Sequence, residues 1–100
     1  MMIMVVFEFT VKPGQEQAYF AFADDLQPIV GKIDGFLGVQ RYQSPFDRNK
    51  FVSISTWRDE AAVNAWRAQP NHKEAQNKGK NEIFESFKLR VTNVMRETIM

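Results

Sequence analysis

The residues whose types could support chemistry lie close together in the second half of the chain: Trp66, Asn71, His72 and Gln76. His72 is the only histidine, and an ordinary histidine pKa lies near neutrality, where the imidazole can accept a proton. A helix N-terminus carries partial positive charge, so a histidine in a first helical turn is held in its neutral form. His72 is therefore a candidate general base. The alternative, which the sequence leaves open, is that His72 packs or hydrogen-bonds beside a helix junction.

Aromatic side chains are candidate walls for a pocket that binds a planar compound. Trp66 follows Ala62 and Val63 at helical spacing, and its ring could stack on such a compound. Large aromatic side chains also fill protein cores, which is the competing interpretation of Trp66. The same two interpretations apply to Trp57 and Phe7.

Asn71 and Gln76 are the neutral hydrogen-bonding groups nearest to His72, and Gln76 lies one helical turn after it. Glu74 follows Asn71 at the spacing of a capping box, which predicts a short helix from His72 to about Lys80. Asn71 therefore has a structural interpretation, as a helix cap, beside its interpretation as a contact to a ligand.

Four segments of the chain show the period-two alternation of β-strands. They cover residues 3–12, 36–43, 50–58 and 84–97. The turn formers Pro45 and Asn49 separate the second segment from the third, which predicts a hairpin. Apolar or aromatic residues occur on both faces of the first and third strands, Val52, Ile54 and Trp57 among them. Both faces of the sheet therefore need cover.

Two longer helices are predicted in addition to the short one. Apolar residues at helical spacing over 19–33 predict the first helix, which ends at Asp34 and which Pro28 should kink or shorten. Asp59 is placed to cap the second helix, and Pro70 should end it.

The order of these elements predicts the fold. Two strand-helix-strand halves in one chain build the ferredoxin-like βαββαβ fold of the α+β class, an antiparallel four-stranded sheet with helices on one face. One hundred residues fit one domain, residues 1–100, and supply no second layer for the other face. A homodimer with facing sheets is the simplest cover, because a two-fold axis makes one surface complementary to itself.

Charged residues on the last predicted strand fit this arrangement. Arg90 and Arg96 lie on its polar face, where they could bind an anion or pair with Glu8 across the sheet. In a dimer with facing sheets, a matched ion pair at the interface is the favoured interpretation, because buried charges must be paired.

Composition removes several classes of function. Thirteen basic and twelve acidic residues give a net charge of +1. The chain therefore lacks the strong positive electrostatic field that attracts the phosphate backbone of nucleic acids. It contains no cysteine, which excludes disulfides and thiolate metal sites, and a lone histidine excludes two-histidine metal sites. The apolar run over residues 1–7 is too short to span a membrane and follows no basic segment, so the cytoplasm is the default location.

Five short motifs occur in a distinctive order: Val11-Lys12-Pro13-Gly14, Gly35-Phe36-Leu37-Gly38, Ser55-Thr56-Trp57-Arg58-Asp59-Glu60, Ala65-Trp66-Arg67 and Pro70-Asn71-His72. Together they resemble the antibiotic biosynthesis monooxygenase family over nearly the whole chain. The resemblance implies a dimeric α+β barrel in which each subunit holds a pocket between its sheet and its helices. Some members of that family oxidise aromatic polyketides with O2 and without metal or flavin.

The resemblance thus implies a monooxygenase that needs no cofactor and acts on a small, planar, quinol-like or anthrone-like compound. Such a substrate must be deprotonated and electron-rich to give an electron to O2. The protein must then supply an apolar box, a proton acceptor and a partner for the oxyanion. The residues expected in these roles are His72 as proton acceptor and Trp66, Asn71, Gln76, Phe7 and Trp57 as substrate contacts.

Other functions stay open for this scaffold. A non-catalytic dimeric module that binds small molecules or serves a stress response would use the same fold. An enolising isomerase would use His72 as a base without O2. Haem-degrading relatives carry an asparagine on the first strand and a haem-ligating histidine at the place of Gln76, and this chain has neither. The third strand lacks the glycine and aromatic spacing of RNA-binding domains that share the topology.

Overall fold

The chain order of helices and strands follows the ferredoxin-like pattern. The structure, a computed structural model, describes residues 1–78 and 82–100, without the side chains of residues 71, 72 and 75. Its strands are β1 (Ile3–Val11), β2 (Phe36–Gln43), β3 (Lys50–Trp57) and β4 (Phe84–Asn93), and its helices are α1 (Glu16–Val30), α2 (Glu60–Ala68) and α3 (Pro70–Lys78). The predicted order of elements is confirmed. None of the described helices has the length and apolar character needed to cross a membrane.

The four strands form an antiparallel sheet in the order β2-β3-β1-β4. β1 is central, so that Phe7 stands opposite Ser53 of β3 on one side and Leu89 of β4 on the other. Residues directly opposite each other in a sheet point to the same face, and these pairs therefore fix which side chains share a surface. This topology confirms the predicted ferredoxin-like α+β fold.

Helix α1 is attached to one end of the sheet by a cluster of aromatic rings. The ring centroids of Phe9 and Phe51, on neighbouring strands, lie 5.5 Å apart, and the Tyr19 ring of α1 lies 4.8 Å from that of Phe9. Val11, Ile83 and Phe84 complete the buried core at this end. Rings at these separations attract each other through edge and offset contacts, beyond the free energy of burying their area.

Helix α2 packs at the other end of the same face. Ala62 and Val63 are buried against Ile3 of β1 and Trp57 of β3, and the end of α1 joins them through Val30. Only 1% of the surface of Trp57 is exposed. Trp57 therefore lies on the helix-covered face of the sheet, unlike its strand neighbours at positions 52 and 54.

Asp59 caps α2 as predicted. Its carboxylate accepts a hydrogen bond from the backbone N–H of Ala62 at 2.9 Å, which satisfies one of the donors that a helix leaves unpaired at its start. That hydrogen bond, assisted by the nearby Arg58 guanidinium, holds the pKa of Asp59 below its usual value. α2 ends at Ala68, before Pro70, which is also as predicted.

The end of α1 differs from the prediction. The helix includes Pro28 and stops at Val30, short of Asp34. The N–H groups of Lys32 and Ile33 bond to carbonyls three residues back rather than four. This tighter pattern ends the α-helix and lets the chain turn towards β2.

The start of α3 and the end of β4 also differ from the prediction. α3 begins at Pro70, a residue type that suits the first helical position because no N–H partner is needed there. Asn71 is therefore the second residue of α3, and the predicted capping box at Asn71 is wrong. β4 ends at Asn93 rather than at residue 97, although the N–H of Val94 still donates to the carbonyl of Met2.

No helix of the described residues covers the opposite face of the sheet. Val6, Val52 and Ile54 lie on this face and are only partly buried, with Val6 directly opposite Ile54. The guanidinium of Arg90 lies 3.5 Å from the carboxylate of Glu8 on the same face. Of the two arrangements predicted for Arg90, the pairing across the sheet is the one found.

Arg58 holds the segment between α1 and β2 in place through hydrogen bonds. Its guanidinium donates two hydrogen bonds to the carboxylate of Asp34, at 3.1 and 3.2 Å, and its backbone N–H donates to the carbonyl of Gly35 at 2.7 Å. Gly35 has φ of +92°, and a Cβ there would lie 2.7 Å from the Cβ of Ala62, so this position requires glycine. The guanidinium lowers the pKa of Asp34 below its usual value.

Truncating the ring at the centre of the aromatic cluster should strongly destabilise the fold. Phe9→Ala removes a ring that is 2% exposed, and the resulting cavity and lost burial should lower the free energy of unfolding by about 3–5 kcal/mol. Urea unfolding followed by far-UV circular dichroism measures this change. Phe46→Ala is the control, because Phe46 is 97% exposed and its loss should change that free energy by no more than about 0.5 kcal/mol. Equal effects of the two substitutions would contradict the assignment of the core.

The ion pair between Asp34 and Arg58 should make the free energy of unfolding depend on pH in the acidic range. A carboxyl whose pKa is lowered by folding stabilises the folded state fully above its unfolded pKa, near 3.8, and loses that contribution as the pH falls through the lower folded value. Asp34→Asn should therefore be slightly less stable than the parent at neutral pH, and the difference should shrink below about pH 4. Urea unfolding across pH 2 to 7 measures it, with Asp25→Asn as an exposed control. A difference that grew on acidification would have the wrong sign for this pair.

Candidate functional site

A cavity of about 680 Å³ lies between the helices and the sheet. Val5 and Phe7, in the middle of β1, form the centre of its floor, and Leu89 and Val91 of β4 extend that floor on one side. The two buried clusters hold the ends of this face, so the cavity occupies the space that they leave between them. Its volume falls within the range of about 300–1,000 Å³ that is typical of small-molecule sites.

The helices supply a roof that is also mainly apolar. Phe22, Leu26 and Val30 of α1 and Val63 and Trp66 of α2 line the cavity from this side. Apolar walls of this kind favour ligands with a large hydrocarbon or aromatic surface, because binding removes that surface from water.

A small number of polar side chains interrupt the apolar walls. Ser53 and Ser55 of β3 and Arg41 of β2 lie on the cavity side of the sheet, Tyr19 comes from α1, and Gln76 comes from α3. A few polar groups in an apolar pocket fix the orientation of a ligand and discriminate between ligands.

Ser55 is positioned by a hydrogen bond within the site. The indole N–H of Trp57 donates to the hydroxyl oxygen of Ser55 at 2.9 Å. Because that oxygen acts as the acceptor, the hydroxyl hydrogen of Ser55 can be donated to another group. The floor of the cavity therefore carries a hydroxyl donor whose position is set by a buried tryptophan.

Tyr19 and Arg41 form the most polar part of the cavity wall. The guanidinium carbon of Arg41 lies 5.2 Å from the centre of the Tyr19 ring and 5.2 Å from that of Phe20, within the range of cation–π attraction. Burial raises the pKa of the Tyr19 phenol, and the nearby Arg41 guanidinium opposes part of that rise. The phenol thus stays protonated at physiological pH and can donate a hydrogen bond.

Four of the residues predicted from the sequence line the cavity: Phe7, Trp57, Trp66 and Gln76. Phe7 also stacks on Phe9, with 4.9 Å between ring centroids, and Trp57 belongs to the second buried cluster. Each of these two rings therefore packs in the core and also lines the cavity, and the predicted role of each as a substrate contact remains a prediction. Trp66 packs at the edge of the second cluster and also forms part of the roof.

The side chains of His72 and Asn71 lie outside the described part of the structure. The backbone places residue 72 in the first turn of α3, the helix that also contributes Gln76 to the cavity. The predicted roles of His72 as proton acceptor and of Asn71 as a substrate contact remain predictions.

Sequence reasoning missed seven polar residues of the cavity, which are Tyr19, Asp24, Gln27, Arg41, Ser53, Ser55 and Arg67. A signal for the two serines was present in the sequence. They lie two and four residues before the predicted core residue Trp57, and residues at this spacing in a strand share one face of the sheet. The position of Arg41 followed only from the strand pairing, which sets it opposite Ser53. Among the described residues, no group of three or more histidine, cysteine, aspartate or glutamate side chains could hold a metal ion.

Comparison with known protein families gives a match over most of the chain. The model of the antibiotic biosynthesis monooxygenase family matches residues 2–78. A protein of Bacillus subtilis named uncharacterized protein YqjZ is 30% identical over 90 residues, which cover 90% of this chain and 77% of that protein.

A fungal relative is more similar in sequence but much longer. The protein named jasmonate monooxygenase ABM from Pyricularia oryzae is 38% identical over 93 residues, which cover 93% of this chain and 43% of the fungal protein. The chain therefore spans less than half of the length of that relative.

Solved structures share the fold at low sequence identity. Rv0793 from Mycobacterium tuberculosis superimposes with a TM-score of 0.87 at 18% identity, covering 99% of this chain and all of that one. SnoaB from Streptomyces nogalater, described as a cofactor-independent oxygenase, gives a TM-score of 0.84 at 18% identity and covers 98% of this chain and 96% of its own. At these identities the likeness establishes the fold alone.

Proposed function

Since the chain belongs to the antibiotic biosynthesis monooxygenase family, we propose that it is a monooxygenase that uses O2 to oxidise a small apolar compound. The observation that carries the proposal is the cavity of about 680 Å³, whose walls are apolar except for a few hydrogen-bonding groups. Such a cavity suits a substrate that itself supplies the electrons for the reduction of O2. The protein then needs mainly to bind this substrate, exclude water from it and remove a proton.

The proposed substrate is a planar compound that forms an electron-rich anion on losing a proton, from a CH2 group in an anthrone or from an O–H group in a quinol. For an anthrone, loss of a proton from the CH2 group gives an electron-rich anion that can pass an electron to O2. Recombination gives a hydroperoxide, and loss of water leaves a carbonyl. The CH2 group and O2 thus become C=O and H2O, so substrate and O2 account for all atoms and electrons.

His72 is proposed as the proton acceptor of this reaction. The proposal is supported by its backbone position in the first turn of α3. It is also supported by Gln76, which is one turn further along the same helix and lines the cavity.

The oxyanion of the deprotonated substrate needs hydrogen-bond donors, and two are proposed. The phenol of Tyr19 remains protonated because burial raises its pKa. The hydroxyl of Ser55 has a free hydrogen, because its oxygen accepts from Trp57. Donors fixed before the reaction stabilise developing charge without a cost of reorganisation. Trp66, in the roof, is proposed to cover the ring of the substrate.

The name of the Pyricularia protein adds a second candidate substrate, jasmonate, which we propose to include in any test. Because the chain corresponds to less than half of that protein, the substrate of the whole relative is only a candidate here.

We also propose that two copies of the chain form a homodimer with facing sheets. The support is the half-buried apolar surface around Val6, Val52 and Ile54, which no described helix covers. The paired charges of Arg90 and Glu8 on the same face allow burial at low electrostatic cost.

Oxygen uptake tests the proposed reaction. The purified protein, treated with chelator, is mixed with dithranol, a hydroquinone or jasmonate, and O2 consumption and product are measured together. With dithranol, one O2 should be consumed for each carbonyl formed. His72→Ala should lower kcat by about 10²- to 10⁴-fold, the usual contribution of a general base, and Trp66→Phe should mainly raise KM.

Asn77→Ala is the matched control for this experiment, since Asn77 is an exposed residue of the same helix and its loss should leave kcat unchanged. Full activity of His72→Ala would remove His72 from the mechanism. Tight binding without any O2 consumption would favour a non-catalytic binding module. Exchange of substrate protons with solvent, again without O2 consumption, would favour an enolising isomerase.

Light scattering after size-exclusion chromatography tests the dimer. The parent protein should elute with twice the mass of the 11.6 kDa chain. Ile54→Asp places a charge at the centre of the uncovered face and should give the monomer mass, because an unpaired buried charge is costly. Ala21→Asp, at an exposed position of α1, should remain dimeric. A monomeric parent protein at micromolar concentration would contradict the facing-sheet arrangement.

A further inference from the structure

Arg41 is a cation on the wall of the cavity whose charge no described carboxylate neutralises. The other arginines that lie on or beside the sheet contrast with it, because Arg58 pairs with Asp34 and Arg90 pairs with Glu8. Among the described residues, no salt bridge involves Arg41. Its side chain is exposed on β2, an outer strand of the sheet, so the charge can stay hydrated while the cavity is empty.

The guanidinium of Arg41 is nevertheless held in place. Its central carbon lies 5.2 Å from the ring centres of both Tyr19 and Phe20. Arg41 also shares a hydrogen bond with Tyr19, and because a guanidinium carries five N–H donors, others can donate to a ligand. Because these contacts already restrict a long side chain, less conformational entropy is lost when it binds a ligand.

The surroundings of Arg41 extend this cationic site into the cavity. Arg41 stands opposite Ser53 in the sheet and lines the same cavity as Tyr19, whose hydroxyl is a second donor. Val39, two residues earlier on β2, continues the apolar wall from this point. A ligand with an acidic group at Arg41 would therefore place its hydrocarbon part against the floor of the cavity.

We propose that the guanidinium of Arg41 forms an anion subsite at the rim of the cavity, and that the ligands of this protein are small apolar compounds bearing one carboxylate. The inference rests on the proposed function of the cavity and adds the chemical class of its substrate. Arg41 sets specificity by holding the carboxylate, and the reacting carbon lies deeper among the apolar walls.

Two other charged residues line the cavity. Asp24 of α1 adds a negative charge to its wall. Arg67, in the last turn of α2, also lines the cavity but has no ring contact among the described residues to hold its guanidinium. Arg67 is therefore the residue against which the role of Arg41 must be tested.

Calorimetric titration with a matched pair of ligands tests the subsite without any need for turnover. The probes are 1-naphthaleneacetate and 1-naphthaleneacetamide, which have the same ring and nearly the same shape but differ in charge. The parent protein should bind the carboxylate about 10-fold more tightly than the amide, as expected for a charge-assisted contact that is partly exposed. This preference should shrink at about 0.5 M NaCl, because salt screens exposed charges.

Substitutions then locate the preference. Arg41→Gln should weaken binding of the carboxylate about 10-fold, leave binding of the amide unchanged and so abolish the preference. Arg41→Lys should retain part of it, since a point charge replaces the fork of donors. Arg48→Gln removes the same charge from the exposed loop between β2 and β3 and should keep the full preference. Arg67→Gln should keep most of it.

Three results would overturn the inference. Equal affinity of the parent protein for the two probes would show a neutral binding site, and the proposed function would survive without the anion subsite. Loss of the preference in Arg67→Gln or Arg48→Gln, but not in Arg41→Gln, would assign the attraction to a different charge. Failure of both probes to bind would remove the subsite together with the cavity as the place where ligands bind.

Discussion

β1 is paired on both edges, and this central position makes its alternate side chains serve two different surfaces. Ile3 and Phe9 are buried under the helices, Val5 and Phe7 between them form the floor of the cavity, and Val6 points to the uncovered face. A shift of one residue in its pairing would exchange the two sets. The cavity and the uncovered face therefore both depend on the register of one strand.

The cavity exists because large side chains are concentrated at the two ends of the helix-covered face. The rings around Phe9 hold α1 at one end, and Trp57 with Val63 holds α2 at the other. Close packing at both ends supplies stability, so the middle need not be filled. The part of the sheet that stabilises the fold is therefore separate from the part that faces the cavity.

The sequence was sufficient for the fold because alternation along the strands and the order of elements are strong signals. Helix ends were less predictable, since α1 stops at Val30 rather than at Asp34 and α3 begins at Pro70, before the predicted cap at Asn71. Phe7 and Trp66 could be identified by type and position. Arg41 could not, because its place at the cavity depends on which strand lies beside β3 and on rings contributed by α1.

The pairing of β1 with β4 joins the first strand to the last, with Ile3 opposite Asn93. Contacts between residues so distant in the sequence form slowly, because a long loop must close before they are gained. During synthesis, β1, α1 and the hairpin of β2 and β3 leave the ribosome before β4, and until β4 docks the floor of the cavity lacks Leu89 and Val91. The cavity is therefore completed only when the last strand has folded.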